Sequence, residues 1–495
     1  MKKIILISIL LCISFLQMNA QWNVDSKRAN KWHFTIMNNL NILDFSQANV
    51  SQLPTVDTSS VQSLLSYNNR SSMCDTSGNM LFYTNGVHIY DSTLQVMQYG
   101  QFITPGYSAG NCFTDGVLSL PMPKHDSLYY VFTLSSDTPC VMLGTQYIYY
   151  SVININLNNG KGAVISKSNL LFSNDLLSTG HIKACRHGNG KDWWLLIKNF
   201  NGNKFYRFLL DSSGVHSFQP QTIGTPFLAG TSWQAAFSSK GNKYAIVTGY
   251  GTFDHDTTAL NIFNFDRCTG LLSNPIQYPA FRVDTFLNLF GICFSPNEQL
   301  MYWCNLDSIF QYNLQTNIST NVAVFDSSLV PLSGTLYLSA FKFSFMQLGP
   351  DGRIYIGTEQ NNLNYIEHPD LVGPSCDVHK LAITLPMVYG AFLLNMPFYT
   401  TPPINCDSAV GVETEPILND RVLVYPNPSV GEFTIEVTKA NCEIQVYSIL
   451  GEMIYKQRNA PLRSLINLTN RSNGLYLVKV MHKGMLLGEQ KILKE

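Results

Sequence analysis

Charged side chains are scarce in this sequence. Lysine and arginine number 32 and aspartate and glutamate 33, so charged residues make up 13% of the 495 residues and the net charge is −1. Globular proteins usually carry about 25% charged residues. Since no excess of basic residues exists to attract phosphate groups, the composition disfavours nucleic acid and anionic membrane surfaces as partners.

Several patterns are also missing. Apolar residues rarely recur at helical spacing, and beyond the N-terminus no apolar run reaches the length of about 18 residues that a membrane-spanning helix needs. The sequence has no Cys-x-x-Cys pair, His-Glu-x-x-His, phosphate-binding loop or dinucleotide-binding glycine motif after a strand. These absences argue against an α-helical protein, a membrane span, a zinc ribbon and a nucleotide enzyme. We therefore expect no cofactor and no metal ion.

The first residues have the pattern of a secretory signal peptide. Lys2 and Lys3 precede an apolar run over residues 4–16, and a short cleavage region ends at Ala20. We therefore predict a signal peptide at residues 1–20 and export of the rest.

Ten cysteines follow the predicted signal peptide, and export would bring them to a compartment where disulfides form. They lie at positions 74, 112, 140, 185, 268, 293, 304, 376, 406 and 442. Because burial is the ordinary fate of cysteine, we expect buried free thiols together with one or two disulfides. The sequence does not determine which cysteines pair.

A repeated hairpin organises the chain. In its clearest copy, residues 346–357, Pro350, Asp351 and Gly352 form a tight turn between two runs of alternating side chains. Five more such turns come at positions 78, 126, 190, 241 and 298, and the steps up to position 352 are 48, 64, 51, 57 and 54 residues. A repeat of β units too small to bury their own core indicates that neighbouring units stack.

The predicted fold is all-β, with a seven-bladed β-propeller over residues 21–398. This stretch has room for about seven units of about 55 residues, although only six turns are visible. The strand candidate at 31–37 has no hairpin partner nearby, so we expect it to complete the last unit and close the ring. A β-solenoid competes with this fold, but solenoid coils usually repeat every 20 to 30 residues or so.

The chain changes character after the propeller region. Residues 399–421, with proline, threonine and acidic side chains, are predicted to form a linker. Residues 422–495 contain short alternating strands separated by turns at 450–452 and 473–474. This density of strands predicts a small Ig-like β-sandwich.

The predicted sandwich has a specific set of residues: Tyr425, Pro426, Asn427, Pro428, Gly431, Phe433, Gly451, Gly474, Tyr476, Lys491 and Lys494. In this order they resemble the type A C-terminal sorting domain of the type IX secretion system of Bacteroidetes. The resemblance implies a domain that directs passage across the outer membrane through the type IX secretion machinery and is commonly removed afterwards. It also implies that the cargo is released or attached to surface lipopolysaccharide. An unrelated carbohydrate-binding or fibronectin-like module is the alternative.

The region before the linker resembles, more loosely, secreted Bacteroidetes proteins that combine a signal peptide, propeller hairpins and a sorting domain. The resemblance rests on residues 74–86, 129–133, 150–153 and 190–194. It implies a propeller fold but no settled activity.

Three clusters could carry chemistry. Gly106-Tyr107-Ser108-Ala109-Gly110 fits the nucleophile elbow Gly-x-Ser-x-Gly, but an elbow needs a strand before it and a helix after it, and a glycine-rich connection explains it better. Asp254-His255-Asp256, and His181 with His187 around Cys185, lack the several converging ligands of a metal site. We therefore assign no catalytic residue and no metal ligand.

Two further groups concern binding. Asp75, Asn297 and Asp351 lie at hairpin turns, where their oxygens could bind Ca²⁺, but backbone requirements alone favour Asp and Asn there. The aromatic residues best suited to stack on sugars or peptides are Trp193, Trp194, Trp233, Tyr302 and Trp303. Because adjacent strand residues face opposite sides, only one of Trp193 and Trp194 can line a shared surface.

These observations predict an exported protein that passes through the periplasm and is released or stays at the cell surface. A binding or scaffold module with a glycan or protein ligand is favoured over an enzyme. The alternative is a propeller hydrolase or lyase acting on an extracellular polymer, and a third reading is a purely structural surface component. Propellers bind ligands at the central channel or on one loop-rich face, and the ligand-binding residues stay unassigned.

Overall fold

The structure is a computed structural model, and the residues it describes fall into two compact units, Met1–Asp407 and Ser408–Glu495. The described residues are 25–36, 39–46, 50–52, 56–57, 69–106, 113, 115–137, 144–179, 182–227, 232–252, 255–278, 281–283, 291–305, 307–325, 342–358, 361–386, 393–406, 423–425, 429–437, 439–448, 451–482 and 485–495.

Strands dominate both units. Apart from Asp25, which is helical and lies directly before the first 3-10 helix, no described residue is α-helical, and the 3-10 helices are Ser26–Ala29, Asn158–Gly160 and Gly373–Cys376. The prediction of an all-β chain is therefore confirmed for the part that the structure describes.

The first four sheets of the first unit follow one another along the chain. Sheet 1 contains β1 (Lys31–Ile36), β2 (Asn39–Asp44), β3 (Ser51–Gln52) and β4 (Val56–Asp57). Sheet 2 contains β5 (Ser71–Cys74), β6 (Met80–Thr84) and β7 (Ile89–Asp91). Sheet 3 contains β8 (Val117–Pro121), β9 (Leu128–Ser135), β10 (Tyr147–Asn154) and β11 (Ala163–Phe172). Sheet 4 contains β12 (Lys183–Arg186), β13 (Trp193–Lys198), β14 (Gly202–Asp211), β15 (Gly214–Ser217) and β16 (Gln221–Phe227).

Three more sheets complete the described part of this unit. Sheet 5 contains β17 (Ser232–Phe237), β18 (Lys243–Thr252), β19 (His255–Asp266), β20 (Leu271–Gln277) and β21 (Phe281–Val283). Sheet 6 contains β22 (Ile292–Phe294), β23 (Leu300–Cys304), β24 (Ser308–Asn313) and β25 (Ile318–Val324). Sheet 7 contains β26 (Met346–Leu348), β27 (Ile354–Ile356), β28 (Asn362–Ile366) and β29 (Val378–Thr384).

The sheets pack face to face in chain order. The first strand of one sheet lies beside the first strand of the next, as β5 does with β8 and β17 with β22. Second strands such as β13 and β23 are buried along their whole length because both of their faces are covered, whereas the outer strand β25 is largely exposed. Apolar side chains fill each space between sheets, including that between sheet 7 and sheet 1, where the rings of Trp32 and Tyr355 lie 5.3 Å apart.

The six predicted hairpins are confirmed. Each joins the first two strands of its sheet, from β5–β6 to β26–β27. In the turn of the first, the carboxylate of Asp75 accepts hydrogen bonds from the backbone N–H groups of Ser77 and Asn79, both 2.8 Å long. In the last, Gly352 has a φ of +85°, as a turn glycine should.

The prediction for the strand at 31–37 is wrong. β1 pairs in antiparallel register with the next strand, β2, from Lys31 opposite Asp44 to Ile36 opposite Asn39, and so opens its own sheet. It does not complete the last unit, because sheet 7 already takes its four strands from a continuous stretch of chain. Its hairpin partner escaped detection because residues 39–44 alternate asparagine with leucine and isoleucine without a glycine or proline turn before them.

The second unit has two sheets around one apolar core. Sheet 8 contains β30 (Leu423–Tyr425), β31 (Glu432–Glu436) and β34 (Arg463–Asn467). Sheet 9 contains β32 (Cys442–Ser448), β33 (Met453–Ala460), β35 (Gly474–His482) and β36 (Met485–Lys494). Inward side chains alternate along the strands, for example Ile444, Val446, Val478 and Val480, and all four are fully buried.

The described cysteines behave as expected. Cys268 and Cys406 form a disulfide, and the other described cysteines are free and buried. Burial raises the pKa of the Cys185, Cys293 and Cys304 thiols to about 12, so these thiols stay protonated at neutral pH. Cys112 and Cys140 lie outside the described residues.

Residues 399–406, which the sequence assigns to the linker, pack on the first unit. Tyr399 is 4% exposed and Cys406 is bonded to Cys268. The proline and threonine composition of this stretch resembles a linker, but its single aromatic residue and its cysteine anchor it.

Candidate functional site

The turn between β30 and β31 requires a glycine in the second unit. Gly431 has a φ of +121°, and a Cβ atom there would lie 2.8 Å from the Cα atom of Thr469. The Gly431 carbonyl accepts a hydrogen bond from the N–H of Leu468 at 2.6 Å, which ties sheet 8 to the segment after β34. Phe433, two residues on, is fully buried in the core. Two predicted motif residues thus have clear structural roles.

The last strand is held at its end by the same turn. The N–H of Ser429 donates to the carbonyl of Leu493 at 3.0 Å, and the N–H of Glu495 donates back to the carbonyl of Ser429 at 2.9 Å. The Lys494 ammonium donates to Oδ1 of Asn473 at 2.6 Å, and Lys494 is only 6% exposed. The chain end is therefore built into the fold.

Other motif residues lie nearby. Gly474 begins β35, opposite Lys494 in the register, and the Tyr476 hydroxyl donates to the carbonyl of Ser472 at 2.6 Å. Gly451 lies in the turn between β32 and β33. The structure thus brings Gly431, Gly474, Tyr476 and Lys494 to the part of the unit where β36 ends, and leaves Gly451 in a separate turn.

Some predicted motif residues cannot be placed in the same detail. Pro426, Asn427 and Pro428 lie outside the described residues. Tyr425 and Lys491 belong to β30 and β36, but their side chains are not among those described.

The clusters considered for catalysis and metal binding do not form a described site. Of the elbow motif only Gly106 is described, so Ser108 falls outside, as do His181 and Asp254. His255 and Asp256 lie in β19, opposite Thr252 and Gly251, with side chains outside the described set. Among the described residues no group of three or more His, Cys, Asp or Glu side chains is arranged to hold a metal ion.

His187 has a role in its own hairpin turn. Its Nδ1 accepts the N–H of Asn189 at 3.0 Å, and its Nε2 lies 3.1 Å from the carbonyl oxygen of Cys268. Cys185 is buried and 3% exposed. These contacts connect the turn to the neighbouring sheet.

The turn carboxylates and amide considered for Ca²⁺ have backbone partners. Oδ1 of Asn297 accepts the N–H of Gln299 at 2.9 Å, and Oδ1 of Asp351 accepts the N–H of Arg353 at 3.3 Å. Oδ2 of Asp351 also accepts the hydroxyl of Tyr355 at 2.7 Å. These bonds, with those of Asp75, stabilise the hairpins.

The expectation that the tryptophans offer a stacking surface is wrong for those that the structure describes. The exposed fractions are 0% for Trp193, 2% for Trp194, 0% for Tyr302 and 4% for Trp303, because each lies on a strand covered on both faces. The side chain of Trp233 is outside the described set. These aromatic residues belong to the cores between sheets.

Two other aromatic residues are exposed instead. Tyr99 is 68% and Phe102 70% exposed, and both have a positive φ, +60° and +49°. Left-handed backbone is rare for bulky side chains and marks a functional site more often than chance. Single-sequence reasoning missed them because a tyrosine and a phenylalanine in a loop carry no signal of exposure.

The segment that carries these rings is held on both sides. The N–H of Ile89 donates to the carbonyl of Gly100 and the N–H of Val164 to that of Gln98, both at 2.9 Å. The hydroxyl of Ser168 donates to the carbonyl of Ile103 at 2.9 Å. Tyr99 and Phe102 are thus presented from a backbone bonded to sheet 2 and sheet 3.

The described strands of sheets 2 to 4 meet around Asn395. Its side-chain amide donates to the carbonyls of Asp115, Val117 and Ile182 at 2.9–3.1 Å, and its Oδ1 accepts the Lys183 ammonium at 3.0 Å. Lys183 also pairs with Asp115 at 2.6 Å, with both side chains less than 10% exposed. Burial raises the pKa of the Asp115 carboxyl, and the Lys183 ammonium opposes that rise. This buried network fixes the first strands of neighbouring sheets rather than offering an open site.

A small cavity lies next to this network. Its lining includes Lys183, Gln234, Cys293, Met346 and Met396, and so comes from sheets 4, 5, 6 and 7 and the segment after Leu393. Both polar atoms of the Gln234 side chain are hydrogen-bonded. Its Oε1 accepts the N–H groups of Ile292 and Met346, and its Nε2 donates to the carbonyl of Met346. The polar group in the wall is therefore satisfied by backbone.

No helix in the described part of the chain is both long and apolar enough to cross a membrane.

Comparison with known proteins identifies the second unit. Residues 423–495 match the family described as "Secretion system C-terminal sorting domain". A curated relative, ulvan lyase NLR42 of Nonlabens ulvanivorans, is 36% identical over 59 residues, which are 12% of this chain and 11% of the relative. The chain therefore spans about a tenth of the length of that relative.

Two solved structures are similar at a low level. A functionally unknown protein from Desulfotomaculum acetoxidans has a TM-score of 0.38 and 14% identity, covering 74% of this chain and 100% of that one. PorZ, a surface component of the type IX secretion system of Porphyromonas gingivalis, has a TM-score of 0.30 and 10% identity, covering 94% of this chain and 69% of that one. At TM-scores this low, neither structure assigns a fold or an activity to this chain.

The family match covers the part of the chain in which the predicted motif lies. Gly431, Phe433, Gly474, Tyr476 and Lys494 all lie within the matched range, in a unit with a core of its own. The C-terminal unit carries a type IX sorting signal, and the protein is exported to the outer surface or secreted.

Proposed function

We propose that this protein is an exported binding or scaffold module, a seven-bladed β-propeller delivered across the outer membrane by its C-terminal sorting domain. The observation that carries the proposal is the sorting-domain match at residues 423–495. The seven described sheets, each packed on the next and the seventh on the first, support the propeller. A signal peptide at 1–20 would supply the first step of export.

The two compact units support a proposed division of the chain into domains. We propose that the propeller and its anchored end occupy residues 21–406, that a linker follows, and that residues 422–495 form an Ig-like sandwich. In this arrangement the secretion machinery is the partner of the second unit, and surface lipopolysaccharide is the acceptor where the protein stays attached.

Deletion of the sorting domain tests the export half. In a host with a type IX secretion system, the chain lacking residues 423–495 should accumulate in the periplasm, because the signal that the machinery reads has been removed. Fractionation and protease treatment of intact cells measure this. As a control, residues 408–495 fused to a periplasmic reporter should bring the reporter to the surface. Normal surface display of the truncated chain would contradict the proposal.

We propose that Tyr99 and Phe102 contact the ligand, since aromatic rings exposed on a held backbone lose little entropy on binding. Lys161 and Lys167, exposed on the neighbouring stretch of sheet 3, add positive charge to this surface. An extracellular polysaccharide with acidic groups suits this combination of rings and cations.

The proposed ligand binding is tested with an array of extracellular polysaccharides and proteins, which is probed with the purified exported chain. The double variant Y99A/F102A should bind its ligand at least about tenfold more weakly, the scale of a binding hot spot. The matched control is I318A/V324A, which removes two side chains 60% and 57% exposed on β25. Equal loss in both variants would exclude a specific role for the rings. Ligand recovered in shortened form would instead establish the hydrolase or lyase alternative.

A further inference from the structure

The first and last sheets of the first unit meet without a shared strand. Within the described residues, no strand of sheet 1 pairs with a strand of sheet 7. Their contact is made by side chains, with Trp32 and Phe45 of the first sheet region against Tyr355 of sheet 7 at ring distances of 5.3 and 5.4 Å. In the part of the chain that the structure describes, side-chain packing rather than hydrogen bonding between strands holds this junction.

The segment 393–406 enters that junction. Leu393, Leu394 and Met396 are at most 7% exposed and belong to the same apolar cluster as Trp32 and Tyr355. The segment thus supplies apolar surface where the two sheets meet.

The same segment is bonded to sheets 2, 3 and 4 at Asn395. Besides its side-chain bonds, the Asn395 N–H donates to the carbonyl of Arg70 at 3.0 Å, and its carbonyl accepts the hydroxyl of Ser71 at 3.3 Å. One residue therefore joins the first strands of three neighbouring sheets, and the following residues line the cavity beside sheets 5, 6 and 7.

The segment then leaves along the hairpin turns. The ring of Tyr399 lies 5.8 Å from that of Trp193, near the end of β12 and the turn after it. The Thr401 hydroxyl donates to the carbonyl of Ser239, in the turn after β17, at 3.0 Å, and the Ile404 N–H donates to the carbonyl of Gly188 at 2.8 Å. Asn395 lies where the first strands of sheets 2, 3 and 4 begin, and Ile404 lies beyond the end of β12, the first strand of sheet 4. The segment therefore runs past these first strands from one end to the other.

A disulfide holds the far end. Cys406 is bonded to Cys268, which follows β19 in sheet 5, and the bond lies against Gly188 of the sheet 4 turn. A Cβ atom at Gly188 would overlap both sulfur atoms, so glycine is required for this close approach. Cys406 is the last described residue of the first unit, and the second unit begins at Ser408.

We propose that segment 393–406 is a threaded strap that locks the ring of sheets, and that the Cys268–Cys406 disulfide is its clasp. The clasp lies at the C-terminal end of the strap, between the strap and the second unit in the chain. If the second unit is pulled, the disulfide to sheet 5 takes the force before the hydrogen bonds of Asn395 do. If the chain is cut beyond Cys406, the disulfide still holds the end of the segment in place. This proposal does not depend on the proposed export function. Export is only a process during which the second unit would be pulled or cut off.

Hydrogen exchange of the full oxidised chain tests the strap, because it reports local opening amide by amide. We insert a protease recognition site between residues 408 and 421 and compare the protein before and after cleavage. The amides of Asn395 and Ile404, bonded to Arg70 and Gly188, should exchange at the same rate in both. Faster exchange at both amides after cleavage would overturn the clasp.

The double variant C268S/C406S gives the complementary measurement. Without the clasp, cleavage should raise exchange at Ile404 by about tenfold or more, because the strap end is then held by single hydrogen bonds. The control T401V removes the bonds from the Thr401 hydroxyl to the carbonyls of Ser239 and Phe398 and keeps the disulfide, so Ile404 should stay protected after cleavage. If the double variant does not fold, the comparison of the cleaved and uncleaved oxidised chain still decides the question. Equal protection in the folded double variant and the parent would overturn the proposal.

Discussion

His33, in the middle of β1, is fully buried, with its ring 4.8 Å from that of Tyr83. Burial, together with the nearby Arg70 guanidinium, lowers the pKa of His33 to about 3, although a backbone contact with Thr84 acts in the opposite direction. A histidine in such surroundings stays neutral in the folded protein at any pH near neutrality. This burial could not be predicted from the sequence, because His33 lies among strand residues of ordinary composition.

His33 should make the first unit sensitive to acid. Below the ordinary histidine pKa of about 6.5, His33 is protonated in the unfolded chain but stays neutral in the folded chain. The free energy of unfolding therefore falls as the pH drops from about 6.5 towards 3. The slope from this one group is about 1.4 kcal/mol per pH unit. The variant H33L, neutral and of similar volume, should unfold in urea with a flatter pH dependence in this range.

The control for this experiment is H125Q. His125 is exposed, so this variant removes an imidazole at the surface and leaves the core and His33 in place. His88, whose pKa burial also lowers, stays in all three proteins and contributes equally. An unchanged slope in H33L would show that His33 is not the group responsible.

At the scale of elements, turn chemistry allowed the hairpins to be predicted. Glycine, asparagine and aspartate at fixed positions impose a local backbone geometry, so the six turns could be located without any knowledge of the packing. The first sheet lacks such a turn, since residues 37–38 are Met37 and Asn38, and its strand was assigned to the wrong sheet. Local signals identify hairpins, but the assignment of a strand with a weak turn depends on long-range contacts.

The candidate sites show the same limit. The motif of the second unit was predicted from its resemblance to a sorting domain, and the structure shows a local role for some of its residues, such as the positive φ of Gly431. Tyr99 is exposed and Trp193 is buried because of how neighbouring sheets pack against them. This packing could not be predicted from the local sequence. The strap was invisible for a related reason, because Asn395 bonds residues as far away in the chain as Arg70 and Ser71.

The molecule as a whole consists of two units with separate cores. Among the described residues, the core of the second unit contains residues from 424 to 492, and the apolar clusters of the first unit contain none of them. Units with their own cores generally fold as separate cooperative blocks. A protein whose tail serves as an export signal can then lose the tail without losing the fold of its cargo.

Calorimetry of the full chain should accordingly show two unfolding transitions, a large one from the first unit and a small one from the second. Ile444 and Ile354 are both fully buried, one in each unit, and form a matched pair. Replacing a buried isoleucine by alanine costs about 2–5 kcal/mol, so I444A should lower only the temperature of the small transition and I354A only that of the large one. Because each substitution removes the same atoms from an equally buried site, a shift of both transitions by either variant would show that the two cores unfold together.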